Sequence, residues 1–337
     1  MKFILSRQQK RYGTPLVLIC FIIGGLYLFL ESQKAKRLKL IAEKSLWLDE
    51  LQRESHKNSA VEGFRRKHNS KPGFLHHTNI TNVNITADLP FSKVELLINR
   101  YFQQKQITCD NDVRLGFQHD GGWNVCMTPP FTLTKPCLVY SFGIGNDWRF
   151  EDDLFEYYGC TVMAFDPSMN RPPHNRTAGM RFKPEGLCGM KDCSNRKWQM
   201  KTFRQHLKEA GHLDRIIDYL KFDVEYSEWP AIEEMLQDDS LHNVKQIAFE
   251  AHLKHPPYEP LDTYLTKGEL INKFQILKQL EKFGFRKFNY RSNPFGHYFC
   301  KINTDDYCSV FYDINYLNIN FVEPKHFEDF KNYTSKV

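Results

Sequence analysis

From Leu138 to Asp147 the sequence reads LVYSFGIGND, an apolar, β-prone run that passes straight into Gly143-x-Gly145 and ends on an acid. Glycines placed after a strand let the backbone approach a ligand closely, and open α/β sheets bind ligands beyond the carboxyl ends of their strands. Asp166 closes the next β-prone run, CTVMAFD (160–166), about 20 residues on, where a carboxylate can hold the two hydroxyls of a ribose. Ribose recognition suits nicotinamide dinucleotides, flavins and S-adenosylmethionine alike. The turn separates them. A dinucleotide site wants a third small residue, so that a helix N-terminus can close on the pyrophosphate, but that position is Trp148 with Asp147 beside it. An acid there repels a pyrophosphate. It tolerates or favours the sulfonium and ammonium cations of S-adenosylmethionine, as does Asp223 nearby in the expected fold.

A second group of residues could act on an acceptor. Methyl transfer from a sulfonium is an in-line displacement with an activated donor, so the protein mainly aligns the partners and excludes water. A hydroxyl acceptor must also lose a proton, and Asp223, Glu225 and His252 are the candidate catalytic residues. Two of them have a plainer reading: Glu225 satisfies a helix N-terminus, and His252 caps a strand end. Trp229 and Phe249 read as core. Asp223, Glu250 and His252 are conceivable metal ligands, but their spacing names no metal and none is expected.

These residues must be positioned by alternating elements. CLVYSF (137–142), CTVMAFD (160–166), DYLKFDVE (218–225) and VKQIAFEAH (244–252) read as strands. RFEDDLFEYYG and SEWPAIEEML read as helices, Pro230 fitting a first turn. The alternation predicts βαβ units and a mainly parallel sheet. KGELINKFQILKQLEKFG is an amphipathic helix closed by Gly284. The runs GHYFCKI and YCSVFYDINYL, separated by NTDD, suggest an antiparallel pair added to that sheet. No internal repeat or low-complexity tract is evident.

Taken together, SFGIGND, AFDPSM and LKFDVEYSEWPAIEEML resemble the lumenal methyltransferase-like protein 24 family, related to FkbM-type methyltransferases. GMRFKPEGLCG and FEAHL add to the resemblance, which covers roughly Phe102 to Leu317. It implies a Rossmann-like class I fold, a mostly parallel seven-stranded sheet flanked by helices with one antiparallel strand near its edge. It also implies S-adenosylmethionine as cofactor: Gly143 and Gly145 against its amino-acid and ribose portions, Asp166 on the ribose, and Asp223 near the methionine ammonium or the reacting centre. Many FkbM-like sequences have Asp-x-Glu-Gly where this one has Asp223-Val-Glu225-Tyr226, a departure on the acceptor side.

The N-terminal region suggests where such a protein works. PLVLICFIIGGLYLFL (15–30) is uncharged and follows Lys2, Arg7, Lys10 and Arg11. Its length suits a thin endomembrane, and bulky Tyr27 to Leu30 favour a retained anchor over a cleaved signal peptide, which would release a secreted chain. Lys34, Lys36, Arg37 and Lys39 blur the positive-inside signal. Four sequons, at Asn79, Asn84, Asn175 and Asn332, are useful only if the chain after the anchor is lumenal, and an oxidising lumen suits the even number of eight cysteines outside the anchor. Cys188 and Cys193 read as a disulfide rather than half a zinc site. The expectation is a single-pass type II membrane protein with its catalytic domain in the endoplasmic reticulum or Golgi. Residues 1–14 form a cytoplasmic tail, 15–30 the transmembrane helix, 31–90 a stem and 91–337 a methyltransferase-like domain.

Net charge is +6, yet residues 1–75 hold 15 Lys+Arg against 6 Asp+Glu, leaving the remainder with 31 against 34. The basic excess belongs to anchor and stem, so no nucleic-acid partner is expected. The membrane and an unidentified acceptor, with O-methylation favoured, are the expected partners. Two other functions share this layout: a Golgi-type glycosyltransferase, with Asp110-Asn-Asp112 mimicking a metal-nucleotide motif, and a catalytically silent interaction module.

Overall fold

The computed structural model describes residues 73–78, 83–194, 197–225, 227–253, 266–299, 307–323 and 326. The expected tail and anchor, most of the stem, Tyr226, Cys300, Asn79 and Asn332 lie outside them. The chain divides into residues 1–58 and 59–337, and every described residue belongs to the second unit. Among the described residues no helix is long and apolar enough to cross a membrane.

The centre is a mixed sheet of eight strands: β1 (Leu138–Phe142), β2 (Thr161–Phe165), β3 (His174–Thr177), β4 (Met180–Lys183), β5 (Tyr219–Phe222), β6 (Gln246–His252), β7 (Phe285–Ser292) and β8 (Phe311–Asn318). Their spatial order is β7-β8-β6-β5-β1-β2-β4-β3. Six strands run one way, while β8 and β3 are antiparallel to their neighbours. The arrangement is Rossmann-like α/β, with one strand more than the seven expected: β3 adds an antiparallel edge beyond β4. The C-terminal pairing also differs from expectation. GHYFCKI supplies only His297–Phe299, which pairs with Tyr307–Ser309 in a separate hairpin, and β8 pairs instead with β7, the FRKFNYR run. The two three-residue strands pair with each other, so the longer β7 and β8 are left to complete the sheet.

Five α-helices are described: α1 (Phe91–Phe102), α2 (Arg149–Tyr158), α3 (Phe203–Ala210), α4 (Glu228–Gln237) and α5 (Lys267–Phe283). The strands alternate with period two and both faces are apolar, as expected of strands covered on both sides. Leu138, Tyr140 and Phe142 of β1 join Phe165, Phe222 and Phe249 in a core that takes side chains from α1, α3, α4 and α5. Val139, Val162 and Tyr219 face the other way, toward Phe150, Leu154 and Tyr158 of α2. Helix ends follow local chemistry. α3 and α5 begin with capping boxes at Thr202/Gln205 and Thr266/Glu269, and α2 stops at left-handed Gly159.

Leu75–His77, assigned to the stem on sequence, pairs antiparallel with Ile107–Cys109, and Leu75 is fully buried. The folded unit therefore reaches N-terminal of residue 91. The Cys109–Cys126 and Cys137–Cys160 disulfides pin this periphery and the start of β1 and β2, and Cys188–Cys193 closes a short loop as expected. Cys308 is also disulfide-bonded.

One histidine under the sheet makes stability pH-dependent. His206 of α3 is buried against the rings of Phe142 and Phe165, its centroid 5.0 and 4.5 Å from theirs. Its Nε2–H donates to the Gly186 carbonyl at 3.1 Å, while Nδ1 has no hydrogen-bond partner. Glu185 at 3.6 Å favours the imidazolium, but burial prevails and lowers the pKa to about 4. A folded pKa below the unfolded one makes the folded state bind fewer protons, so the contribution is full above about 6.5 and is lost as pH falls toward 4. The loss should reach up to about 3 kcal/mol at the acid end. Denaturant titrations at pH 7.5, 6 and 5 should show this slope, and His206→Gln should flatten it. Equal slopes in the two proteins would refute the assignment.

Candidate functional site

β1 has β2 on one side and β5 on the other, so the chain winds outward in both directions from this strand. That makes the carboxyl end of β1 the switch point at which such sheets bind ligands. Phe142, Phe165 and Phe222 stand in register there, and the residues following them are Gly143, Asp166 and Asp223. Three sequence-selected residues are thus brought to one rim by the strand register alone. A cavity of about 660 Å³ opens above them, within the range of small-molecule and cofactor sites.

The glycine turn and Asp166 form one hydrogen-bonded unit. Gly143 (φ +80°) and Gly145 (φ +58°) hold left-handed backbone, and the Gly143 N–H donates to the Phe165 carbonyl at 2.8 Å. Asp166 Oδ2 accepts from the Ile144 and Gly145 N–H groups at 2.9 and 2.7 Å. Its Oδ1 accepts from the Ser168 N–H at 2.8 Å and the Ser168 hydroxyl at 2.6 Å. Burial works against ionisation, yet these donors together hold the Asp166 pKa below the usual carboxylate value. Asp166 lies where the sequence places it, but its lone pairs are engaged by the chain itself, so it shapes the turn as well as facing the cavity.

Asp147 also lines the cavity, but not as a bare acid. Arg149 grips its carboxylate through Nε and Nη2 at 2.8 and 2.5 Å, and the guanidinium lies 4.0 Å from the centroid of the Phe117 ring. The negative charge credited to Asp147 on sequence is therefore largely matched by a neighbour. Beneath the turn lie groups that sequence reading missed. Lys221, only 5 % exposed, donates its ammonium to the Gly143 carbonyl. Glu151 is buried, accepts from the Ser141 hydroxyl at 2.6 Å, and has its pKa raised by burial against the opposing pull of Lys221. A lysine in the middle of the apolar run YLKF was the available signal, since a strand buried on both faces rarely keeps an ammonium without a purpose.

The second group assembles at the ends of β5 and β6. One ligand-type atom from each of Asp223, Glu225 and His252 lies within 4.8 Å of the other two. His252 is buried, and its Nδ1 pairs with Glu228 Oε1 at 2.9 Å, while Nε2 lies 3.4 Å from Glu250 and 3.6 Å from Glu225. Burial opposes a charge on His252, but Glu228 and the surrounding carboxylates outweigh it and raise its pKa to about 10. Burial pushes the Asp223 and Glu250 carboxyls upward, each reinforced by neighbouring acids and opposed by His252. The plainer readings give way in part. His252 ends β6 and is at the same time the centre of a carboxylate cluster. The Val224 N–H ahead of α4 donates to Glu228 at 3.1 Å, whereas the Glu225 side chain is 77 % exposed and takes left-handed backbone (φ 52°). Glu228, an acid in the first turn of a helix, was legible as a helix-end residue but not as the partner of a histidine 24 positions away. Trp229 and Phe249 are core, as read.

The pattern of the methyltransferase domain matches residues 61–303. The chain belongs to the methyltransferase domain family. Among curated proteins, the methyltransferase domain is similar to those named "Probable methyltransferase-like protein 24" from Rattus norvegicus, 29% identical over 208 residues, and Homo sapiens, 28% identical over 209. Each alignment covers 56% of this chain and 55% of the relative, so the chain spans about half the length of the curated relatives it matches. Among solved structures, the Methanococcus jannaschii fibrillarin pre-rRNA processing protein aligns over 55% of this chain and 67% of its own, with 9% identity and a TM-score of 0.29, and informs neither substrate nor mechanism.

The Asp110-Asn-Asp112 triplet that suggested a nucleotide-sugar site is spent inside the methyltransferase domain. Asp110 accepts from the Phe74 N–H at 2.8 Å and pairs with His76, while Asp112 accepts from the amides of Asn124 and Asn289. Neither acid lines the cavity.

Proposed function

We propose that the protein is an S-adenosylmethionine-dependent methyltransferase that methylates a hydroxyl group. The observation that carries this reading is the Gly143 to Gly145 turn, tied to Asp166, at the switch point of a Rossmann-like sheet and open to a cavity of about 660 Å³. The lining fits the donor. A Cβ built at Gly145 would meet nothing within 4 Å, so the turn leaves room for a ligand at its crest. Acids Asp166, Asp223 and Glu225 border the same space, which suits a cationic cofactor and disfavours a phosphate-bearing one.

S-adenosylmethionine, when bound, supplies an activated methyl group: the acceptor oxygen's lone pair forms the new O–C bond, the C–S pair returns to sulfur, and a thioether leaves. The chain's own residues deal with the proton and the charge. Asp223, which lines the cavity and is shifted upward to about 6 by burial, is the carboxylate suited to accept the hydroxyl proton near neutral pH. His252, paired with Glu228, places an imidazole behind Asp223 and Glu225 at this end of the cavity. The buried aromatic walls, Phe142, Phe165 and Trp123, keep the floor of the cavity dry.

The proposal includes a lumenal setting with membrane attachment through residues 15–30. Three disulfides with both cysteines among the described residues, a further bond at Cys308, and exposed Asn84 and Asn175 support it. Calorimetry on the purified full chain, disulfides intact, should show one S-adenosylmethionine bound per chain, and the chain made in secretory cells should shift on endoglycosidase treatment. Absence of binding by folded protein would overturn the methyltransferase reading. An unglycosylated, protease-accessible chain would overturn the lumenal one.

A further inference from the structure

The cluster at the ends of β5 and β6 holds more negative charge than proton chemistry requires. Asp223, Glu225, Glu228 and Glu250 surround the single imidazole of His252. Asp223 lines the cavity, and its carboxylate makes no hydrogen bond among the described residues. Glu228 is fully buried, with Oε1 on His252 and Oε2 unpartnered beside it. Glu228 accepts from His252 and the Val224 N–H and Glu250 from the Asn293 amide, with Lys221 offsetting part of the charge on Asp223, yet four acids facing one imidazole are costly when desolvated, and a further cation among them would offset that cost.

The local geometry says what kind of cation. His252 Nδ1 is directed by a buried carboxylate, which turns Nε2 toward Glu250 and Glu225 and fixes the ring, the outer-shell arrangement that commonly orients a metal-binding histidine. Asp223, Glu225 and His252 each offer one ligand atom, all within 4.8 Å of one another, so a small inward rotation of the exposed Glu225 side chain brings the three to an ion they would touch at about 2.0 to 2.2 Å. We propose that Asp223, Glu225 and His252 Nε2 form a divalent cation site of the Mn²⁺ or Zn²⁺ class, oriented by Glu228 and opening into the cavity. Mixed carboxylate and imidazole ligands favour these ions over Ca²⁺, which takes oxygen alone. Three protein ligands leave coordination positions free on the cavity side, and Glu250 remains next to them. If the methyl-transfer reading holds, those positions select acceptors that present an oxygen donor.

The other grouping of potential ligands, Cys188, Asp192 and Cys193, carries no comparable site because its two sulfurs are bonded to each other. The test is made without donor or acceptor, so that its outcome is independent of methyl transfer. Full chain stripped with chelator is titrated with Mn²⁺, the free ion being read by electron paramagnetic resonance, and with Zn²⁺ against a chromogenic competitor. One ion per chain is expected. Asp223→Asn and Glu225→Gln should each weaken binding about tenfold or more, and Glu228→Gln about 10- to 100-fold through the orientation of His252. Glu225 is exposed, so its substitution leaves the fold intact and keeps the test decisive if the buried variants unfold. A folded wild-type chain that binds neither ion, or affinity unchanged in Glu225→Gln, would overturn the site.

Discussion

Asp166→Ala is expected to weaken S-adenosylmethionine binding by about 100-fold or more and to lower unfolding free energy by about 2 to 4 kcal/mol. Both effects come from the same carboxylate. It receives the Ile144, Gly145 and Ser168 N–H groups and the Ser168 hydroxyl, all within 2.9 Å, and each donor orphaned in a partly dry site costs about 1 to 3 kcal/mol before relaxation. Relaxation here means that the glycine turn moves, and the turn is the cofactor's seat. Asp166→Asn should behave more like alanine than like aspartate, because its amide NH₂ would have to face at least one pair of donors. Ser168→Ala separates the two roles. Its hydroxyl is the partner of Asp166 that can rotate away, so removing it frees a lone pair for a ribose hydroxyl and should leave affinity within about threefold of wild type. Calorimetry and denaturant midpoints report the two quantities separately. Unchanged donor affinity in Asp166→Ala would show that the cavity binds something else or binds it elsewhere.

This dual use of Asp166 marks how far the sequence could be read. The strands β1, β2, β5 and β6 were legible because their apolar runs are short, β-branched or aromatic, and bounded by turn residues, and their parallel direction followed from alternation with helices, whereas their order in the sheet did not. The register that sets Gly143, Asp166 and Asp223 side by side then came without further information. The edge was not legible: β3, HNRT, is polar and partly exposed, held by pairing to β4 rather than by burial, so it carries no hydrophobic signature. The C-terminal pairing was misjudged for a related reason, since a tight turn announces a local hairpin but not which of several nearby strands joins the main sheet. Within the site, residues on the strand-end turns could be found from spacing, whereas Glu228, Glu250 and Lys221 act across elements. Their roles depend on three-dimensional contacts that bring β5, β6 and the first turn of α4 together. Charged residues inside otherwise apolar stretches were the trace they left.

The two glycines of the turn should respond to the same substitution in opposite ways. A Cβ at Gly143 would lie 1.7 Å from the Asp223 carbonyl oxygen, a backbone atom that cannot swing aside, and the residue also sits at φ +80°. Gly143→Ala must therefore push β1 and β5 apart at the rim, where the Asp223 N–H donates to the Phe142 carbonyl at 3.0 Å. A loss of about 3 kcal/mol or more is expected, with failure to fold in secretory cells a plausible extreme. Gly145→Ala meets no atom within 4 Å, so its structural cost is the left-handed backbone alone, about 1 to 2 kcal/mol. Its methyl group instead enters space proposed for the donor, and affinity should fall at least about tenfold while the melting transition stays cooperative. The contrast distinguishes a turn made of glycine for packing from one made of glycine for a ligand. If Gly145→Ala bound S-adenosylmethionine as well as wild type, the crest of the turn would be solvent-facing scaffold and the donor would have to lie deeper, toward Trp123 and Lys221. If Gly143→Ala folded normally, β1 and β5 would have to separate at this rim without loss of stability, which the fully buried Phe222 and nearly buried Phe142 beneath it do not permit.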